Sequence, residues 1–206
     1  MIAPERVAFL LWGLWIVSWW AAALWRRQTV QRAGFGAEFF HLIITMLGFA
    51  MLLTTPIAGR WATRRVMERD PAFVPLWHLE TEARWALVGA IALGFLFCWW
   101  ARITLGSLWS GTVTRKDDHY IVDTGPYALV RHPIYTGLIL AAFATAALWG
   151  AVTNLAGAVL ITLGFSIKAG IEERFLRREL GREAYDAYAA RTPMLIPRLW
   201  PSPAKS

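Results

Sequence analysis

The chain has 206 residues, of which 57% are apolar and thirteen are Trp, and it carries a net charge of +7. That content is too apolar for a soluble domain of one-domain length, so the bilayer is the solvent to reason with. The positive charge does not mark a nucleic-acid binder, because the basic residues flank apolar runs instead of lining a soluble face, and attraction to anionic lipid headgroups accounts for them.

A membrane-crossing helix needs about 20 apolar residues. Five segments approach that length: 7–25, 40–59, 85–101, 133–149 and 152–168. The first is as long as a true span and no Ala-x-Ala-like site closes it, so it is expected to stay as a helix and not to be cleaved. Gly34-Phe35-Gly36 has no preceding strand and no third glycine, and reads as a turn between spans. His41, in the second segment, and His78 have no neighbouring ligands at metal spacing, and no metal is expected. In the 60–84 loop, Trp61, Phe73 and Trp77 suit an interfacial aromatic belt. The single Cys98 lies in the third segment, where it excludes a disulfide and reads as a small buried apolar residue.

Residues 103–124 are broken by Gly106 and Gly111 and carry the charged run Arg115-Lys116-Asp117-Asp118, so they belong at the membrane surface. Tyr120-Ile121-Val122 has strand-like composition, but a lone strand has no partner and an extended loop is expected. Pro133 fits the first turn of a helix, which puts Arg131 and His132 at the amino end of the fourth span. Free N–H groups and the helix dipole there favour an anion, and the Arg131 guanidinium suits a carboxylate. The fourth and fifth spans are joined so tightly, across 150–154, that they form a hairpin. Its far arm brings Lys168, Glu172 and Glu173 back to the start of the fourth span. Lys168 and Glu172 are an i, i+4 pair of opposite charge. Adjacent helical residues point about 100° apart. One acid is therefore expected to enter a pocket, and Glu172 is the expected one.

Beyond the fifth span, Ile171, Phe175, Leu176 and Leu180 share a helical stripe while Arg174, Arg177, Arg178 and Arg182 lie off it. This predicts a basic amphipathic helix, continued by Tyr185 and Tyr188 and ended by Pro193 and Pro197. The fold expected is thus an all-α integral membrane protein of about five transmembrane helices, with a C-terminal amphipathic helix capping a pocket. An odd number of spans puts the termini on opposite sides. With the C-terminus in the cytoplasm, 15 of the 21 Lys and Arg lie inside.

Gly125-Pro126-Tyr127, Arg131-His132-Pro133-Ile134-Tyr135, Glu172-Glu173, Gly181 with Tyr185 and Tyr188, and Ile196-Pro197 together resemble the signature of the isoprenylcysteine carboxyl methyltransferase family. That family is related to membrane phospholipid N-methyltransferases. The resemblance covers about the last 90 residues; the earlier part shares only hydropathy. It implies one membrane methyltransferase domain over 1–206, with three spans in 1–101 and a cofactor-binding and catalytic half in 102–200. It implies S-adenosylmethionine as cofactor, taken by His119, Tyr120, Ile121, Val122, Tyr127, His132, Pro133, Ile134, Tyr135 and Glu172. Arg131, Lys168 and Glu172 would be catalytic, with Arg131 and Lys168 on the substrate. The eukaryotic enzymes have Arg where this chain has Lys168, a change that keeps the charge and loses the planar fork. The acceptor implied is lipidic or hydrophobic and enters from the bilayer: first a carboxylate, then a phospholipid amine, then a small thiol. A non-enzymatic binding subunit on the same scaffold is the alternative from another class.

Overall fold

The computed structural model describes residues 2–22, 31–32, 35–61, 71–106, 114–115 and 121–198. In chain order the elements are α1 (Pro4–Ala22), β1 (Gln31–Arg32), α2 (Phe35–Trp61), α3 (Thr81–Leu105), β2 (Thr114–Arg115), α4 (Pro126–Leu129), α5 (Pro133–Trp149), α6 (Val152–Glu179) and α7 (Arg182–Arg191). β1 and β2 form a two-residue antiparallel pair, and among the described residues the rest is helical or irregular apart from an isolated bridge between Pro75 and Ala151. Within the described residues, each of the five apolar segments falls on a helix, the first of them as far as Ala22. Among the described residues two helices, α3 and α6, are both long and apolar enough to cross a membrane, while Phe39–Leu53 and Pro133–Trp149 are shorter apolar helices.

The outward faces of this bundle are apolar. Leu10, Leu14 and Val17 on α1, Leu93, Leu96 and Ile103 on α3, and Val159 and Leu163 on α6 are all exposed. A contiguous apolar exterior of this kind is stable against lipid and a liability in water.

Helix pairing is set by small residues. At Gly94 on α3 a Cβ would sit 2.5 Å from the Gly137 carbonyl of α5, and Gly137 is equally closed in by the Gly94 carbonyl and Cys98. At Gly157 on α6 a Cβ would sit 2.5 Å from the Leu52 nitrogen of α2, and Asn154 Nδ2 donates to the Leu52 carbonyl at 2.7 Å. Backbones this close exclude any side chain, which is the packing expected where water cannot drive association. Gly94→Leu should therefore lower the melting temperature in detergent by the equivalent of at least the ~1–3 kcal/mol typical of overpacking, while Gly89→Leu, on the same helix with open space around it, should not.

α1 and α3 run parallel: Arg84 Nε donates to Glu5 Oε1 (2.9 Å) at their starts, and the buried Arg102 donates to the carbonyls of Ala22 (2.8 Å) and Gly106 (2.6 Å) at their ends. Cys98 is buried, as its position in an apolar helix predicts. The α5–α6 turn uses Gly150 in the left-handed region (φ 72°) and is covered by the end of the 60–84 loop. Leu76 N donates to the Gly150 carbonyl (3.0 Å) and Trp77 Nε1 to the Ala147 carbonyl (2.9 Å). Residues 62–70 of that loop lie outside the described residues, as do 116–118 of the charged run.

The amphipathic stripe after the fifth span differs from the expectation. It is not a separate helix: α6 continues unbroken to Glu179. Twenty-eight residues at 1.5 Å each make about 42 Å, against a hydrocarbon core of about 30 Å, so the last turns of α6 project beyond the apolar stretch 152–168. The break comes at Gly181, with φ 93°, and the separate helix is the short α7. α4 is an unpredicted turn of helix directly before the motif.

Candidate active site at the joined ends of helices α5 and α6

His132 is the N-cap of α5 and Pro133 its first residue, in the position where a missing N–H costs nothing. The stretch before them is tied down by the end of the chain. Arg131 N donates to the Pro193 carbonyl (2.8 Å), His132 N to Met194 (3.1 Å), and Thr136 Oγ1 to Leu195 (2.6 Å). Tyr188 of α7 donates its hydroxyl to the Tyr127 carbonyl at 2.7 Å. The segment 185–195 therefore straps the amino end of α5.

Both acids of Glu172-Glu173 reach His132, where one was expected. The ring's Nδ1 lies 3.4 Å from Glu172 Oε2 and its Nε2 lies 3.3 Å from Glu173 Oε1. The two carboxylates nevertheless occupy different surroundings. Glu173 is 5% exposed and ion-paired to Arg131 (2.7 Å) and to Arg177 (3.3 Å), a residue four positions on. Glu172 keeps more exposure, accepts from the Tyr135 hydroxyl at 2.6 Å, and shares its helix face with Lys168. Lys168 Nζ sits 5.5 Å from the centroid of the Tyr135 ring. His132, Tyr135 and Phe165 are stacked nearly parallel, with centroids 5.4 and 4.8 Å apart.

Arg131 is more committed than a free substrate clamp. Nε and Nη2 bind Glu173, and Nη1 donates to the carbonyls of Ala189 and Thr192. Its guanidinium fixes Glu173 and the strap.

Arg131, His132, Glu172 and Glu173 lie beyond the apolar stretches 133–149 and 152–168. Burial works against a charged His132, but its hydrogen bonds to Glu172 and Glu173, together with the two negative charges, outweigh that and raise its pKa above the ordinary value. Burial likewise opposes ionised acids. Hydrogen bonds from His132 and Arg131 and their charges bring Glu173 down to about 2, and His132, Lys168 and Tyr135 hold Glu172 below the usual range. The cluster thus pairs an imidazolium with two carboxylates. The raised histidine stabilises the fold fully below its unfolded value of about 6.5 and loses that contribution as pH rises through the folded value. The lowered acids stabilise above about 4.3 and lose theirs as pH falls through the folded values. Thermal stability in detergent should therefore be highest between those two figures and decline on both sides, and His132→Gln should remove the alkaline decline.

Of the expected site residues, the structure brings together Arg131, His132, Tyr135, Lys168 and Glu172. Pro133 and Ile134 form the first turn of α5, where the Ile134 carbonyl accepts from Cys98 Sγ (3.2 Å). Tyr127 is buried on α4; burial first, then the charge of Glu172, push its pKa up. Ile121 and Val122 are half-buried irregular chain, and His119 and Tyr120 lie outside the described residues. Phe165, Thr136 and Arg177 join the cluster without belonging to the motif. Helical spacing is the signal for two of them: Phe165 is seven residues before Glu172, and Arg177 four after Glu173.

Residues 87–177 match the model of the Isoprenylcysteine carboxyl methyltransferase (ICMT) family. The chain is 33% identical over 132 residues to the protein-S-isoprenylcysteine O-methyltransferase of Schizosaccharomyces pombe, covering 63% of this chain and 55% of that protein. It is 30% identical over 139 residues to methanethiol S-methyltransferase 2 of Bradyrhizobium diazoefficiens, covering 63% and 52%. It is also 30% identical over 128 residues to the cobalt-zinc-cadmium resistance protein CzcN of Cupriavidus metallidurans, covering 59% and 56%. The chain spans about half the length of the curated relatives it matches.

Proposed function

We propose that the chain, whose residues 87–177 match the model of the isoprenylcysteine carboxyl methyltransferase family, is a multi-pass membrane methyltransferase that uses S-adenosylmethionine on a hydrophobic acceptor. The observation that carries this reading is the meeting of Glu172 with His132 and Tyr135 at the joined ends of α5 and α6. Five spans, with the C-terminus and the site on the cytoplasmic side, accord with the apolar exterior and with the 15 of 21 basic residues on that side.

The donor set fits S-adenosylmethionine. The ligand combines a cationic sulfonium and ammonium, a carboxylate and a flat base. Glu172 offers a carboxylate that is still partly exposed, beside a stack of parallel rings. Glu172, Tyr135 and His132 would hold it, with Pro133 and Ile134 on the same helix end, Tyr127 on α4, and His119 to Val122 as the further contacts that the motif implies; cations also bind well over Tyr faces. When bound, it supplies an electrophilic methyl group.

The chain's own residues do the rest. Glu173 and Arg131 are positioning residues: they lock His132 as a doubly bonded cation, so the ring's edge holds Glu172 at a fixed angle. Lys168, held over Tyr135, presents a positive charge to the nucleophilic end of an acceptor. Methyl transfer to a carboxylate or thiolate needs no strong base, only orientation and exclusion of water. The apolar walls of α2, α5 and α6 supply the exclusion. The S-methyltransferase relative favours a thiol as the second reading of the acceptor.

Calorimetric titration of the detergent-solubilised protein with S-adenosylhomocysteine tests the donor assignment. Saturable binding at one site is expected, and absence of binding refutes it.

A further inference from the structure

One stripe of α6 faces outward along the whole length of the helix. Val152, Val159, Leu163, Gly170, Arg174 and Arg178 follow one another at steps of seven and four, the spacing of a single helix face. Val152, Val159 and Leu163 are exposed apolar side chains, and Arg174 and Arg178 are exposed as well, whereas Ile171, Glu173 and Phe175 are buried. The lipid-facing stripe of the span therefore runs on into two arginines, and no residue of it is acidic. Among the described residues neither arginine is in an ion pair, in contrast to Arg177, which is held by Glu173 and Asp186. Arg174 lies about 9 Å along the axis past Lys168, while the headgroup layer is about 5–7 Å deep. Its side chain turns back towards the bilayer, since a Cβ at Gly170 would stand 3.8 Å from Arg174 Nη1. The missing side chain at Gly170 leaves room there, and the guanidinium lies one turn nearer the hydrocarbon, at phosphate depth.

We propose that Gly170, Arg174 and Arg178 form a binding site for one anionic phospholipid, its acyl chains along Leu163 and Val159 and its phosphate between the two guanidinium groups. This goes beyond the methyltransferase reading and rests only on the chain's place in a membrane. Charge is the first argument for this occupant. Two arginines on a face without acids attract an anion, and a guanidinium binds phosphate through two parallel N–H bonds. Continuity is the second: an ion from water would meet the arginines alone, while a lipid also covers the apolar residues in line with them. The site differs from the general attraction of basic flanks for headgroups in having a shape, because Gly170 makes room for the phosphate beside Arg174. Glu172 and Glu173 leave α6 from the other side of the same turns, so a lipid held here fixes the depth of the candidate active site relative to the headgroups.

The test is native mass spectrometry of the protein in mild detergent, titrated with phosphatidylglycerol and with phosphatidylcholine of the same acyl chains. One phosphatidylglycerol should bind roughly 10-fold or more tightly than phosphatidylcholine. In the double variant Arg174→Gln, Arg178→Gln its affinity should fall roughly 30-fold, about 5-fold for each arginine. Arg6→Gln, an exposed position at the far end of the bundle beside the Glu5–Arg84 pair, should leave it unchanged. Gly170→Leu keeps every charge but fills the notch, and should weaken phosphatidylglycerol binding without lowering the melting temperature. Equal affinity for the two lipids overturns the proposal, as does a double variant that keeps the preference. Full affinity in Gly170→Leu overturns it by reducing the site to diffuse attraction, and displacement of the lipid by millimolar inorganic phosphate overturns it by showing an ion site. Recovery of the wild type from cells in the soluble fraction without detergent would refute the membrane reading, and the proposal with it.

Discussion

Glu173→Ala should be the most damaging single change at the site, costing about 3–5 kcal/mol of stability, the range for removing one member of a buried ion pair. Arg131 and His132 both direct donors at this carboxylate, and Arg131 also carries the strap through Ala189 and Thr192. Without Glu173 two cations remain buried side by side. Denaturant or thermal unfolding in detergent measures the loss. The double variant Arg131→Met, Glu173→Leu should be less destabilised than the single one, because it removes both charges together. A loss in Glu173→Ala no larger than the ~1 kcal/mol of a surface pair would show that the clamp is not what holds the strap.

The second large effect is functional. Glu172→Gln keeps the shape and an acceptor for the Tyr135 hydroxyl, but removes the negative charge that faces outward from the cluster. Affinity for S-adenosylmethionine should fall by about 1.5–3 kcal/mol, roughly 10- to 150-fold, as for loss of a hydrogen bond to a charged group. The melting temperature should drop less than in Glu173→Ala, since Glu172 is the more exposed of the two. An unchanged affinity would remove Glu172 from the donor site.

The contrast between the two acids marks the limit of what the sequence discloses. Hydropathy is a local property, so the five apolar segments, the tight α5–α6 hairpin and the helix start at Pro133 are legible residue by residue. The meeting of Arg131, His132, Tyr135, Lys168 and Glu172 follows from the hairpin alone. The 100° rule correctly separates the surroundings of Glu172 and Glu173, but it misses that one imidazole has two nitrogens and can engage both acids. The docking of 193–195 onto 131–136 joins two backbone N–H groups and the Thr136 hydroxyl to backbone carbonyls of 193–195, which leave no side-chain signature in that segment. The continuity of α6 was masked by its charges: Lys168 reads as a membrane boundary, whereas a helix leaves the bilayer without ending. Gly181 carried the stop signal, but the apolar stripe reaches Leu180 in phase and conceals it.

The most direct measurement is transfer of a radiolabelled methyl group from S-adenosylmethionine to extracted membrane lipids and hydrophobic metabolites by the purified protein, followed by base treatment of the products. Label should enter the hydrophobic fraction with the wild type and fall sharply with Glu172→Gln. Release as volatile methanol identifies a carboxyl ester, and base-stable label identifies a thioether or amine. No transfer to any hydrophobic product by a protein that binds the donor would contradict the account.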